Sequence, residues 1–467
     1  MTFQVRCFHA GDGDCLLLSA GDDDALTHML VDGGRSGPFA KQTAPFLYDN
    51  DDIPSLDLVV VSHIDNDHIS GVLRLLKDHV AHTVWKVKKE GGRTSGMSRT
   101  EPDRPPEINK LWHNSVTDAL GEKVDQTVAQ QSLATSAALL GGQFAGEAEQ
   151  ELGLAATRMD NLATGHRSAI ELEGRLRGKL NIETEKELIL VPEGDKARRS
   201  RRRVGAFSIT VIGPTEERIK DLRKDWEKWI DDNEQARLDV MERLRDDEQE
   251  MGAFSPSSVA PDSLAQGSSG GNITVPNLAS LMLLVRAEDK SILLTGDGSS
   301  EDILEGLDRS GVDDRHFDVV KIPHHGATAN VSHEFCREVT ADTYVFCGNG
   351  AHTNPELEVL WRIANARLAD GACQNQPFTF AFTSKSSTPG LSERRHDHMK
   401  EVEGTVRVLE QFVDEHPIDP DSDSSPEPAV LLKMLKEFVE DTDRHKRIRN
   451  RRLRYEFLKE GHLTLDL

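Results

Sequence analysis

One hexapeptide limits what this chain can become more than any other stretch. It is His63-Ile64-Asp65-Asn66-Asp67-His68, and it follows directly on the apolar run Leu58-Val59-Val60-Val61. A continuously apolar run suits a strand covered on both faces, so the polar string stands at a strand's end. Binding residues gather at such ends in layered α/β folds. Four side chains able to ligate a metal fall within six residues, and crowding two carboxylates there is costly unless positive charge compensates them. A solvated polar turn has no need of such density.

The same design recurs twice. Ile292-Leu293-Leu294-Thr295-Gly296-Asp297 delivers one carboxylate at the tip of an apolar run, and Val319-Val320-Lys321-Ile322-Pro323-His324-His325-Gly326 delivers two imidazoles. Taken singly, Asp297 or the histidine pair reads as a turn or a cap. Three strand ends with ligand chemistry together read as one metal centre.

Around these motifs the first hundred residues predict short strands at Phe3 to Phe8, Cys15 to Leu18, Met29 to Val31 and Leu56 to Val61, separated by glycine and aspartate turns. An exposed loop from about Glu90 to Lys110 leads to a helical stretch, Val116 to about Lys179, rich in alanine, leucine and glutamate. Strands resume at Leu188 to Val191 and Phe207 to Ile212. A charged helix, Thr215 to Met251, carries Leu222, Trp226, Trp229 and Ile230 at helical spacing. Ala253 to Asn272 is a serine-, glycine- and proline-rich linker. Strands are then expected at Leu281 to Val285, Ser291 to Leu294, Phe317 to Ile322, Thr343 to Phe346 and Phe378 to Phe382, with a helix from Ser300 to Leu307. Val413 to Ala429 reads as an acidic, proline-rich linker leading to a basic helix that ends near Lys459.

The strings H-x-D-x-D-H, T-G-D and K-x-P-H-H-G resemble the metallo-β-lactamase superfamily, in particular the hydrolase domain of bacterial DNA-uptake (competence) channel proteins. Phe8-His9-Ala10-Gly11-Asp12-Gly13-Asp14-Cys15, Leu30-Val31-Asp32-Gly33-Gly34 and Gly348-Asn349-Gly350-Ala351-His352 are similar to that subgroup's pattern too. The resemblance covers about residues 1 to 85 and 275 to 390. It implies an α/β fold, an αββα sandwich with a long helical insertion and a C-terminal extension. Its first half would occupy 1–90, the mainly helical insertion 91–180, the second half 181–400 with the charged helix 215–251 and the flexible linker 253–272, and the extension with the basic helix 401–467.

Carried over residue by residue, the resemblance implies a metal-dependent hydrolase with two divalent ions, Zn2+ or Mn2+. His63 and Asp65 would hold one, Asp67 and His68 the other, and Asp297 would bridge them. Asp65 stands where the family's commonest string has histidine; a carboxylate is a harder ligand, which brings manganese in beside zinc. His352 occupies the late position from which many members supply their last histidine, to the second ion here, while His324 and His325 would complete the coordination of the first ion or contact substrate. Asp32 would order the site by hydrogen bonding rather than bind metal. The additional histidine that many members place before the bridging aspartate has no clear counterpart, and Asn277-Leu278-Ala279-Ser280-Leu281 stands in its stretch.

Such a centre suits phosphodiester hydrolysis, by a nuclease or a nucleotide phosphodiesterase. Asp65 or Asp67 would orient the attacking hydroxide, and His324 or His325 would stabilise the transition state or protonate the leaving oxygen. Fifty-six basic against eighty acidic residues give a formal charge of −24, which argues against indiscriminate wrapping of nucleic acid. Two basic clusters nevertheless stand out as candidate phosphate contacts: Arg198, Arg199, Arg201, Arg202 and Arg203, and Arg444 to Arg454 with Arg447 and Arg451. A small-molecule hydrolase, such as a lactonase or a phosphorylcholine-type esterase, would use the same metals. A third reading is a subunit of a multiprotein complex that docks a protein partner through the helical insertion; stand-alone members in bacterial defence systems are similar. The five cysteines lack C-x-x-C spacing and read as small core residues. No apolar stretch approaches the roughly 20 residues of a membrane span, and no basic start precedes an apolar run, so a cytoplasmic protein without membrane contact is expected.

Overall fold

The computed structural model describes residues 2–22, 25–63, 65–90, 101–114, 182–185, 188–191, 201–221, 277, 279–369, 373, 375–416, 428–445 and 451–467. In chain order its strands are β1 (Thr2–Phe8), β2 (Leu16–Asp22), β3 (Ala25–Val31), β4 (Ser55–Leu56), β5 (Leu58–Val60), β6 (Glu107–Ile108), β7 (Lys110–Trp112) and β8 (Glu183–Thr184). They continue with β9 (Arg202–Val204), β10 (Phe207–Gly213), β11 (Met282–Ala287), β12 (Lys290–Leu294), β13 (His316–Lys321), β14 (Thr340–Phe346), β15 (Phe378–Phe382), β16 (Leu453–Phe457) and β17 (His462–Asp466). The longer helices are α1 (Asn66–Glu90), α2 (Ser300–Arg309), α3 (His333–Glu338), α4 (Leu357–Ala369), α5 (Glu393–Glu415) and α6 (Pro428–His445).

Two large sheets form, in the orders β17-β1-β2-β3-β5-β7-β8 and β16-β15-β14-β13-β12-β11-β10-β9. Alternation along each strand sends side chains to two cores. Leu58 and Val60 enter the core between the sheets while Val59 and Val61 pack outward beneath α1. Val345 likewise faces the inter-sheet core, whereas Tyr344 and Phe346 face α4 and α5. Apolar demand on both faces explains why these strands are continuously hydrophobic in sequence. The layers are therefore helix, sheet, sheet, helix, the expected αββα sandwich.

Most predicted strands form, with ends shifted by a few residues. Leu188 to Val191 does not: it is extended but unladdered, its Ile189 N–H donating to the Asn114 side chain at 2.7 Å and its Val191 N–H to the Pro214 carbonyl at 2.9 Å. The expected helical stretch 116–179 and linker 253–272 lie outside the described residues, as does most of the charged helix, of which 216–221 is helical.

The C-terminal reading needs correction. The helix α5 runs to Glu415, over the start of the linker expected from Val413, and the stretch expected as a basic helix to near Lys459 is strand from Leu453 to Phe457, with helix described from Pro428 to His445. Beyond it, β16 pairs parallel with β15 and β17 antiparallel with β1, so the last strands extend both sheets. One buried carboxylate fixes that arrangement. Glu410 of α5 accepts the backbone N–H groups of Arg451, Arg452 and Leu453 at 2.8, 2.9 and 3.0 Å and the Arg452 Nε–H at 3.0 Å. Burial opposes its ionisation, but the amide donors of Leu453 and Arg452 outweigh it and hold the carboxyl below its usual range. That stability is present above the unfolded-state value of about 4.3 and is lost as pH falls through the folded one. Glu410→Gln should therefore cost about 1.5–3 kcal/mol at pH 7, and less in acid below the folded value, where the wild-type carboxyl is itself protonated. Urea titrations at pH 7 and in acid well below the usual carboxylate range check this; an equal cost at both would sink it.

Candidate metal centre

The strand ends converge as expected. The loop after β5 supplies His63 and Asp65, the start of α1 supplies Asp67 and His68, the turn after β12 supplies Asp297, and the turn after β13 supplies His324 and His325. Both sheets thus contribute. Asp297 Oδ2 lies at the centre, with the Nε2 atoms of His68, His325, His324 and His63 at 3.4, 3.6, 3.7 and 3.8 Å. Asp67 Oδ2 stands 3.4 Å from His325 Nε2 and 3.9 Å from His68 Nε2, and Asp65 Oδ2 stands 3.7 Å from His63 Nε2.

Each imidazole has a polar partner behind its Nδ1, a hydrogen bond for His68, His324 and His63 and an ionic contact with a carboxylate for His325. Asp32 Oδ2 takes Nδ1 of His68 at 2.9 Å and is itself bonded by the Ser62 hydroxyl at 2.6 Å. Asn330 Oδ1 holds His324 Nδ1 at 2.8 Å, Ser62 and Ser280 hydroxyls stand 3.1 and 3.3 Å from His63 Nδ1, and Asp14 Oδ1 is 3.1 Å from His325 Nδ1. Asp14, Ser280, Asn330 and Lys321 had no expected role. Asp14 and Lys321 lay inside quoted motifs, and Ser280 lay in the stretch that replaces the absent histidine. Asn277 of that stretch comes within 3.4 Å of His324 Nε2.

Backbone strain marks the same place. His324 and His325 take φ of 45° and 57°, and Asp32 takes 56°, in the left-handed region that non-glycine residues avoid. Close packing holds them: a Cβ on Gly13 would lie 1.6 Å from the Asp67 carbonyl oxygen, so the loop carrying Asp14 can seat against the start of α1 only with glycine there.

Charge balance shows what this arrangement lacks. Burial pushes Asp65 up to about 7, with Asp67 adding to the rise, and burial together with the neighbouring His68 pushes His63 down to about 4. Burial would also raise Asp14, but Lys321, His325 and His68 bring it to about 2. His325 rises to about 10 against burial because Asp297 and Asp14 face it, and His68 rises well above the usual imidazole value under Asp297, Asp32 and Asp67. The carboxylates thus draw protons onto two buried imidazoles for want of another cation. His63 Nε2, His68 Nε2, both ring nitrogens of His325 and one Asp297 oxygen are buried without a well-formed hydrogen bond. Orphaned donors with ordered backs fit a divalent metal.

Among the described residues two triads bring their donor atoms within 4.8 Å of one another: His63, His68 and Asp297, and Asp14, His68 and His325. The second already has its cation. The Lys321 ammonium sits on Asp14 Oδ2, donates to the Gly296 carbonyl at 2.8 Å and stands 3.5 Å from Asp297 Oδ1, fully buried. Asp14 therefore serves as an orienting group, and the open donor face is the Nε2 side.

His352 is not brought into either triad. Its side chain is exposed in a strained loop, φ 53°, within electrostatic reach of Asp12, Asp67, Arg395 and His324. The basic clusters are also remote from each other. Arg201 precedes β9, which holds Arg202 and Arg203 at one edge of the eight-stranded sheet, while Arg451 precedes β16 at the other, seven strand spacings or about 34 Å away. Arg202 is engaged with Glu185 at 2.9 Å and stacks on Trp112. Arg198, Arg199 and Arg447 lie outside the described residues.

Residues 10–128 match the family model of the Metallo-beta-lactamase superfamily, a span that includes the His63 to His68 string and ends before Asp297. A solved structure, that of the metallo-beta-lactamase fold protein YhfI from Bacillus subtilis, overlaps 86% of this chain and 94% of its own at 11% identity, with a TM-score of 0.29, too loose to bear on function. No curated protein matches. The family match and the layering agree with the expected fold; the narrower likeness to DNA-uptake channel proteins finds no support in these comparisons. No helix among the described residues is long and apolar enough to cross a membrane.

Proposed function

We propose that the chain is a two-metal hydrolase that cleaves phosphodiester bonds, as a nuclease or a nucleotide phosphodiesterase. The observation that carries this reading is the convergence of four imidazole Nε2 atoms on one buried carboxylate oxygen, with Asp65 and Asp67 flanking it. His63 and Asp65 would hold one ion, His68, Asp67 and His325 the other, and Asp297 both. His325 takes the place that the sequence assigned to His352. When bound there, divalent ions would supply an activated water at neutral pH and offset charge on the attacking and leaving oxygens. Asp65, one-third exposed at the mouth, would orient the attacking water. His324 is the most accessible of the four imidazoles, and Asn330 fixes its ring, so it would deliver a proton to the leaving oxygen.

The softer nitrogen donors favour zinc and the carboxylates favour manganese, so both belong in the test. Protein purified without chelators should carry close to two ions by elemental analysis and hydrolyse bis(p-nitrophenyl) phosphate. Under half an ion per chain, or no phosphodiester turnover with either metal restored, would count against the proposal.

A further inference from the structure

Two guanidinium groups and one imidazole stand at the mouth of the cluster without belonging to it. Arg35 follows the Gly33-Gly34 turn after β3, Arg395 lies in the first turn of α5, and His352 is in the loop after β14. They gather round Asp12. Arg35 Nε and Nη2 donate to Asp12 Oδ1 and Oδ2 at 2.7 and 3.1 Å; Arg395 Nη2 stands 3.9 Å from Asp12 Oδ2, and its Nη1 stands 3.4 Å from Asn349 Oδ1. The loop and helix are fitted to each other, since a Cβ on Gly350 would lie 2.9 Å from the Arg395 carbonyl oxygen. His398 of α5 adds a bond from Nε2 to the Pro355 carbonyl at 3.0 Å.

Asp12 is well covered, at 11% exposure, so it serves the two guanidinium groups rather than solvent. It cannot neutralise both. Arg35 is gripped in fork geometry, whereas the contacts of Arg395 are longer than the 2.7–3.2 Å of an ordinary N–H···O bond. A loosely held, part-buried guanidinium adds little stability. Yet the group borders the cluster: the field of Arg35 reaches Asp65 and Asp67, and the His352 ring, kept neutral by desolvation, lies within electrostatic reach of Asp67, His324 and Arg395. In a chain with a formal charge of −24, this is a local positive rim over the open donor face.

We propose that Arg35 and Arg395, with His352 beside them, form an anion-recognition rim that takes the non-bridging oxygens of a phosphate ester. A planar guanidinium matches phosphate oxygens in pairs. A neutral ester or lactone offers it no such partner. The inference rests on the hydrolytic reading of the cluster and narrows its substrate to one carrying an anionic phosphate at the scissile centre.

The test uses the full chain loaded with zinc or manganese, bis(p-nitrophenyl) phosphate and p-nitrophenyl acetate as paired substrates, and inorganic phosphate as an inhibitor. Arg395→Ala should raise KM for the phosphodiester about tenfold, the loss of one charge-assisted hydrogen bond, and weaken inhibition by phosphate by a similar factor. The phosphodiester-to-acetate ratio of kcat/KM should fall accordingly, and Arg395→Lys should recover part of it. Unchanged KM and unchanged phosphate inhibition in Arg395→Ala, with metal content equal to wild type, would overturn the rim and leave the metal centre standing. If the wild type turns over only the acetate, the phosphodiester reading falls; phosphate inhibition of acetate hydrolysis then judges the rim alone, weaker inhibition of the variant supporting it and equal inhibition overturning it.

Discussion

Asp297→Ala is expected to remove both bound metal and hydrolysis while the fold survives. Its Oδ2 is the one atom that all four imidazoles face, so no other side chain can replace it as the shared ligand. Loss of a group that stabilises the transition state electrostatically typically costs 10²–10³-fold, and here the ions depend on it too, so a fall of at least about 10³-fold in kcat is expected. The fold should tolerate the change because Asp297 is the first of the carboxylates that raise the proton affinity of His68 and His325, so its loss eases the charge both rings must carry. Elemental analysis, turnover and circular dichroism on one preparation check all three parts. A variant that keeps two ions and wild-type turnover would show that the centre lies elsewhere.

The second large effect is expected beneath the site. Lys321 is a fully buried ammonium whose carboxylate partner is Asp14. Asp14→Ala removes the carboxylate in direct contact with that charge, leaving only Asp297 at 3.5 Å, and should cost about 3–5 kcal/mol of stability. It also frees the ring of His325, so metal affinity should fall about 10–100-fold. The double variant Asp14→Ala, Lys321→Met removes charge and partner together and should regain most of the stability but not the affinity, which separates the two roles. Urea denaturation and metal titration of both proteins measure this. A double variant no more stable than Asp14→Ala would refute the ion-pair account.

Which parts were legible in the sequence follows from where each signal resides. His63 to His68, Asp297 and His324-His325 could be read because each is a polar group at the tip of an apolar strand, a pattern local in the chain. The roles of Asp14, Ser280, Asn330 and Lys321 could not, because each acts across the fold: Asp14 reaches His325 on the opposite sheet, and Asn330 steadies a ring six residues away through a strained turn. The signal for Asp14 was its place in Gly11-Asp12-Gly13-Asp14, where glycine permits the close approach to Asp67. The place of His352 outside the triads was not legible either, because a late histidine after a strand looks the same whether its loop turns inward or along the rim. Leu453 to Phe457 read as part of a basic helix because, in an edge strand, Arg454, Tyr455 and Glu456 are exposed and dilute the apolar alternation.

The division of the donor set between the two sheets has a consequence for how the protein comes into being. His63 to His68 leave the ribosome some 230 residues before Asp297 and more than 250 before His325. At roughly 5–20 residues per second that interval lasts about 10–50 s. Throughout it the nascent chain displays a carboxylate-rich partial chelate with no shared ligand to close it. Contacts so distant in sequence form late and slowly, so on the two-metal reading tight capture of an ion would report that the two halves have docked, and metal supply would bias the final step of folding by mass action.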